Sequence, residues 1–173
     1  MMAILFWEAE SLRTRNDDKQ EKLGAKTLIR PARLSDAAAI RILSRDCLGY
    51  DYREELVAKK LKALLSNPEH RVWVAELDGK VVGYLHASDY DVLYASHMKN
   101  ILGIAVSEDC RRRGIGRRLL EALEDWGRET GAKAIRLNSG EARIEAHAFY
   151  HSCGYVGEKK QLNFKKYVDG ESL

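Results

Sequence analysis

The residues with the clearest chemical potential lie between Ala105 and Leu120. There an Arg111-x-x-Gly114-x-Gly116 spacing sits between an apolar run, Ile101–Val106, and an amphipathic stretch carrying Leu119, Leu120, Leu123 and Trp126 on one face. Strand, glycine loop and helix in that order aim unpaired backbone N–H groups and the positive end of a helix dipole at one point. A pyrophosphate is the kind of ligand such a point holds. With no side chain at 114 and 116, the backbone approaches phosphate oxygens closely and takes dihedrals closed to other residues. Arg111, Arg112, Arg113, Arg117 and Arg118 crowd the same loop. So many cations oppose the dipole of a bare helix start, and a phosphate-bearing ligand explains them better than solvated surface does. The pattern is not a Walker loop, because no Gly-Lys-Ser/Thr follows, and it lacks the third glycine of a dinucleotide fingerprint. A glycine pair at a helix start also has purely structural uses, so the loop alone decides nothing.

The elements that hold this loop follow from the hydrophobic pattern. Strand character begins at Thr27-Leu28-Ile29-Arg30 and stops at Pro31, and Ser35 suits the N-cap of a helix through Ala37, Ile40, Leu43 and Cys47. A second helix fits 53–65, with Val57, Leu61, Leu64 and Leu65 on one face, and Asn67-Pro68 ends it. A hairpin is predicted from Val72–Glu76 through a turn at Asp78-Gly79 to Val81–Leu85, and residues 88–97 read as loop. The central strand is placed at 100–106 and the helix after the glycine loop runs to about Thr130, with Gly131 as its C-cap. Ala134–Asn138 reads as a strand lying parallel to 100–106 through a right-handed crossover. A helix over Arg143–Ser152, a stop at Gly154 and two short strands, Tyr155–Glu158 and Leu162–Val168, complete the chain. The expected architecture is a mixed α/β (α+β) fold. Its centre is a mixed, mostly antiparallel sheet of six to seven strands with about four helices on its faces.

Size and composition narrow the class. A chain of 173 residues, 45% hydrophobic and 32% charged, suits one soluble domain with a real core. Polar residues 8–26 read as an extension or linker, which puts the domain at 27–173 and an N-terminal extension at 1–26. The net charge of +3 is mild, and the expected strands carry few aromatics of the kind that stack bases, so nucleic acid is not the expected partner. Cys47, Cys110 and Cys153 show no C-x-x-C spacing, which argues against a disulfide framework or a zinc site and for a reducing cytoplasm. Met1–Trp7 is apolar but too short to span a bilayer, and no membrane segment is expected. A homodimer through the late strands or this apolar segment is compatible with the sequence, which does not fix it.

Four segments together resemble a known family. Ile29-Arg30-Pro31-Ala32-Arg33-Leu34-Ser35-Asp36 looks like the first strand and helix start of the GNAT superfamily, the acetyl-CoA-dependent N-acetyltransferases. Val72–Tyr84 looks like its hairpin, and Val106 with Arg111-x-x-Gly114-x-Gly116 is similar to its cofactor loop. Ala146-His147-Ala148-Phe149-Tyr150-x-x-x-Gly154-Tyr155 is similar to its C-terminal signature. The likeness spans roughly 27–168 and implies an acyl-CoA N-acyltransferase fold, with acetyl-CoA as donor and a small-molecule or peptide amine as acceptor, and no metal.

That resemblance assigns roles. Backbone groups of Ile104, Ala105 and Val106 would pair with the pantetheine arm, and amides from Arg111 through Arg112, Arg113, Gly114, Ile115 and Gly116 to Arg117 would hold the pyrophosphate. Tyr150 falls where many members carry the tyrosine that protonates the departing thiolate, a role suited to a phenol of pKa near 10. The same Phe149-Tyr150 pair also reads as core aromatics. His147 either lines the cofactor channel or is a structural hydrogen-bonder, with the structural role favoured. Cys153 reads as a packing residue rather than a nucleophile. Many members have asparagine seven residues before the tyrosine, whereas this chain has Arg143, whose guanidinium is expected on a cofactor phosphate. No base is assigned to take the amine's proton. Glu54, Glu55, Asp89, Asp91, His97 and Glu141 are each within reach from loops, as is a water chain. Asp46, Asp51, Glu54 and Glu55 would suit a cationic acceptor such as a polyamine or an aminosugar, although such a run is also an ordinary solvated face.

Overall fold

The structure, a computed structural model, describes residues 27–157 and 159–168. The expected extension at 1–26 therefore lies outside the described residues. The chain divides into two compact units between Leu137 and Asn138. The first contains β1 (Leu28–Pro31), α1 (Ala37–Leu43), α2 (Glu54–Leu65), β2 (His70–Leu77), β3 (Lys80–Val92), β4 (Ala95–Val106), α3 (Ile115–Glu129) and β5 (Ala134–Leu137). The second contains α4 (Ile144–Ser152).

The strands of the first unit form one sheet of five in the order β1-β2-β3-β4-β5. β1 through β4 are antiparallel neighbours and β5 joins β4 in parallel, as the crossover through α3 requires. Asp78 and Gly79 both take positive φ, +49° and +75°, the pair of left-handed residues that a tight hairpin turn needs. Among the described residues the sheet thus has five strands rather than six to seven. The strands expected at Tyr155–Glu158 and Leu162–Val168 are not formed there. Val156, Leu162, Phe164 and Val168 are exposed, and alternation becomes a strand only with a neighbour to bond.

Residues 88–97, read as loop, are strand apart from the Leu93-Tyr94 turn, so β3 and β4 make one long hairpin. The first helix also differs from expectation. It opens as a 3₁₀ turn at Leu34–Asp36, continues as α1 and widens into a π-helical turn at Ser44–Leu48, ending at Gly49 with φ +81°. Ser35 does not cap it. The carboxylate of Asp36 accepts the Arg33 N–H at 2.7 Å while the Arg30 guanidinium grips it at 2.8 and 3.0 Å.

Each face of the sheet buries a different helix set. Val72, Val74, Tyr84 and Ala105 pack with Ile40, Leu43 and Leu61 of α1 and α2. On the other face α3 buries Ile115, Leu119, Leu120, Leu123 and Trp126, with Trp126 against Trp73 at 5.8 Å between ring centroids. β4 carries one extra residue at Leu102, because Ile101 faces Ala87 while Gly103 faces the adjacent His86. This bulge leaves Lys99 and Ile101 on the α3 side and Gly103 and Ala105 on the α1/α2 side.

Candidate functional site

β5 ends at Leu137, opposite Ile101, and β4 runs on to Val106 with no strand alongside that edge among the described residues. Ser107 N–H donates to Val82 O of β3 at 2.8 Å. Strand alternation therefore turns the Ala105 peptide groups toward β3 and those of Ile104 and Val106 toward the open edge. The Val106 carbonyl accepts long bonds, 3.4 Å each, from the Cys47 thiol and Arg111 Nε. The bulge at Leu102 sits where β5 pairing stops, and it supplies the bend that frees this half of β4.

The open edge leads directly into the glycine loop. A 3₁₀ turn, Glu108–Cys110, is followed by Arg112 with φ +61° and by Gly114, the N-cap of α3, with φ +73° and ψ 0°. The first bond that closes α3 runs from Arg118 N–H to Gly114 O at 3.1 Å, so the amides of Ile115 and Gly116 have no partner within the helix. Ile115 anchors this turn with a buried side chain, while Arg111, Arg112, Arg113, Arg117 and Arg118 stay exposed around it. Nothing lies within 4 Å of a Cβ built on Gly114, so only its backbone conformation demands glycine. Gly114→Ala is accordingly expected to destabilise the folded chain by about 1–2 kcal/mol, read as a lower unfolding midpoint in urea or on heating.

Above the open half of β4 lies the π-helical turn. Leu48 stands 3.7 Å from a Cβ built on Gly103, and the Tyr84 hydroxyl 3.5 Å from it. Ser44 Oγ donates to Ile40 O at 2.8 Å, which leaves its oxygen to accept the Tyr84 O–H at 2.8 Å. Burial pushes the Tyr84 phenol above its ordinary value, so it stays protonated. Next along the same face, His70 Nδ1 and His86 Nε2 are 3.0 Å apart. Burial, reinforced by His70, pushes His86 down to about 4. Neutral at physiological pH, it is too weak a base for an alkyl ammonium of pKa near 10, since a gap of roughly 6 units is about 8 kcal/mol uphill. Sequence reasoning passed over both pairs; the alternation of Tyr84, His86 and Ser88 with apolar Leu85 and Ala87 was their only signal.

Three of the carboxylates considered as bases are engaged elsewhere. Asp89 pairs with the fully buried Lys99, whose ammonium lies 3.6 Å from the Trp126 ring centroid. Asp91 bonds His97 at 2.9 Å, and Glu141 pairs with Lys160. Glu54 and Glu55 are exposed in the first turn of α2. The supposed acidic patch is matched by arginines: Arg45 holds Asp46 at 2.6 Å and Arg41 holds Asp51 at 2.8 Å. Of the four acidic residues that would suit a cationic acceptor, Glu54 and Glu55 remain exposed.

In the second unit, α4 carries Tyr150 half-buried between Phe149 and Tyr155, at centroid distances of 5.4 and 5.8 Å. Burial pushes its phenol above the ordinary value against a smaller pull from Arg143, which keeps a proton on the oxygen at neutral pH. His147 Nε2 donates to Gly140 O at 3.1 Å and so ties the turn before α4 to the helix, a structural bond. His151 Nδ1 donates to Tyr155 O at 3.0 Å, and Cys153 Sγ lies 3.9 Å from Ser152 Oγ. No group of metal-ligating side chains occurs among the described residues, and no helix there is long and apolar enough to cross a membrane.

The mixed, mostly antiparallel sheet, with a bulged, half-unpaired β4 running into a glycine loop at a helix N-terminus, is a fold shared with acetyltransferases of known structure, and residues 37–155 match the acetyltransferase (GNAT) family. The chain belongs to that family and is an acetyltransferase of its type. It is 33% identical over 134 residues to the uncharacterized N-acetyltransferase YhfO of Bacillus subtilis (strain 168), covering 73% of this chain and 88% of that one. It is 31% identical over 160 residues to an N-alpha-acetyltransferase of Sulfurisphaera tokodaii, covering 88% and 92% of the two chains. Among solved structures, an aminoglycoside N-acetyltransferase in complex with CoA superposes with a TM-score of 0.75 at 18% identity, covering 83% of this chain and 96% of that one.

Proposed function

We propose that the chain transfers the acetyl group of acetyl-CoA to a primary amine by direct attack. The observation that carries this reading is the open edge of β4, whose Ile104 and Val106 peptide groups face no strand and lead into the amides of the glycine loop. In this reading the pantetheine arm bonds that edge as an added strand would, and the pyrophosphate sits on the loop amides from Arg111 to Arg117. The Ile104 N–H is the donor for the oxyanion. The neutral amine nitrogen attacks the thioester carbonyl carbon, a C–N bond forms, and the C–S bond breaks. The departing thiolate takes its proton from Tyr150, the nitrogen releases one to water, and Tyr150 regains its own from solvent; no side chain is assigned as base. Arg143 supplies a cation to the cofactor, and His147 holds the turn that carries it.

Thermal unfolding with and without acetyl-CoA tests the donor. At ~100 times its dissociation constant a ligand adds about 2.7 kcal/mol, a rise of several degrees for a chain of this size. An unchanged midpoint at millimolar acetyl-CoA overturns the assignment of the glycine loop and the acetyl-CoA reaction with it.

A further inference from the structure

The peptide joining Gly103 to Ile104 has one filled face and one empty one. Strand alternation puts the Ile104 side chain on the α3 side, while Gly103 faces α1 and α2 with hydrogen alone. Backbone conformation is not what calls for glycine here, since φ at 103 is not positive. What glycine provides is room. A Cβ built on Gly103 would lie 3.5 Å from the Tyr84 hydroxyl oxygen, 3.7 Å from Leu48 Cδ1 and 4.0 Å from Tyr84 Cε2. Those are ordinary contacts, so the slot above Gly103 is one carbon deep. A second carbon continuing toward the roof would collide with the phenol or the leucine. Ser44 Oγ fixes the Tyr84 hydroxyl at 2.8 Å. The π-helical turn carrying Leu48 packs on the core and reaches β4 again through the Cys47 thiol, 3.4 Å from the Val106 carbonyl. Gly103 and Ile104 are themselves half-buried rather than sealed in the core.

We infer that Leu48 and Tyr84, closing over Gly103, set the length of the acyl group: the slot takes the methyl of an acetyl thioester and rejects longer straight chains. The inference rests on the acetyltransferase reading above, which places the thioester carbonyl on the Ile104 N–H. The carbon attached to that carbonyl must turn to one face of the strand or run along the edge that the pantetheine arm occupies. Ile104 fills the α3 side, which leaves the α1/α2 side over Gly103. A methyl fills that space at contact distance. Each further methylene must displace a wall, and packed walls yield only through off-rotamer side chains or backbone shifts. Tyr84 cannot retreat without giving up its bond to Ser44. Leu48 is therefore the softer wall, and the one whose truncation deepens the slot.

The test measures the binding of CoA, acetyl-CoA and butyryl-CoA to the full chain by calorimetry, which needs no amine acceptor. Acetyl-CoA is expected to bind about tenfold or more tightly than butyryl-CoA. Gly103→Ala puts a methyl into the slot at ordinary contact distance, so the variant should fold. It should weaken acetyl-CoA about tenfold and leave CoA, which has no acyl group, within about twofold. Leu48→Ala should bring butyryl-CoA to within about threefold of acetyl-CoA, and Leu48→Met, of similar volume, should keep the discrimination. Equal wild-type affinities for acetyl-CoA and butyryl-CoA overturn the inference. So does an equal loss of all three ligands in Gly103→Ala, or a Leu48→Ala protein that binds CoA and still discriminates. Should Leu48→Ala fail to fold, the Gly103→Ala comparison decides alone. A wild-type chain that binds none of the three overturns the cofactor reading and this inference with it, whereas CoA binding without discrimination overturns this inference alone.

Discussion

Asp89→Asn is expected to destabilise the protein by about 3–5 kcal/mol, lowering its unfolding midpoint by about 6–20 °C. The reason lies in Lys99, whose side chain is fully buried between β4 and α3, with its ammonium on the Trp126 ring and its counterion at Asp89. Asparagine keeps the shape at 89 and one acceptor oxygen but removes the charge, leaving a buried ammonium with a neutral amide and the ring face in place of its counterion. Lys99→Met makes the contrasting case. It removes the buried cation at similar length, and replacing buried ion pairs by apolar groups is often neutral or stabilising. The double variant Asp89→Asn/Lys99→Met should therefore recover most of the loss. Thermal or urea unfolding of the three variants checks this, and a double variant no more stable than Asp89→Asn would show that the pair is not the source.

Tyr150→Phe is expected to lower kcat by about 100-fold or more, the scale of a lost general acid, while leaving CoA affinity within about twofold. Phenylalanine preserves the ring packing against Phe149 and Tyr155, so the variant isolates the hydroxyl. The wild-type rate should fall at high pH as the phenol ionises. Burial holds that pKa above the ordinary tyrosine value, so the fall is expected above pH 10, and Tyr150→Phe should lack it. Steady-state kinetics across pH decide the matter. An unchanged kcat would remove Tyr150 from the chemistry and leave its role as one of packing. Retained CoA binding with no turnover by either form would instead describe a coenzyme-binding module without catalysis.

The glycine loop and α3 were legible in the sequence because two independent signals coincide there. Gly114 occupies a left-handed N-cap, and Leu119, Leu120, Leu123 and Trp126 recur at helical spacing and are all buried. The β1–β2–β3 portion was legible through the Asp78-Gly79 turn. The β3–β4 hairpin was not. Its turn at Leu93-Tyr94 lacks glycine, proline or asparagine, and charged Asp89 and Lys99 interrupt the apolar alternation. Those charges satisfy each other across nine intervening positions, a long-range pairing that periodicity cannot register. The late strands failed for the converse reason, since Leu162 and Phe164 alternate as strand residues do yet have no ladder among the described residues. Of the site, the loop and the Tyr150 helix could be found from spacing. The Ser44–Tyr84 and His70–His86 pairs depend on strand register and could not.

The bulge at Leu102 separates what folding requires of β4 from what binding requires. Every side chain after it lies on the face that it would occupy in a strand one residue shorter, so the core gains nothing from the insertion. A lineage that lost this residue would keep the same packing in a straighter strand, with no bend to draw the second half of β4 clear of β5. Selection for stability alone is indifferent to that loss, or favours it. Under the reading proposed above, the extra residue serves the open edge rather than the core, so its deletion is expected to spare folding while abolishing coenzyme binding.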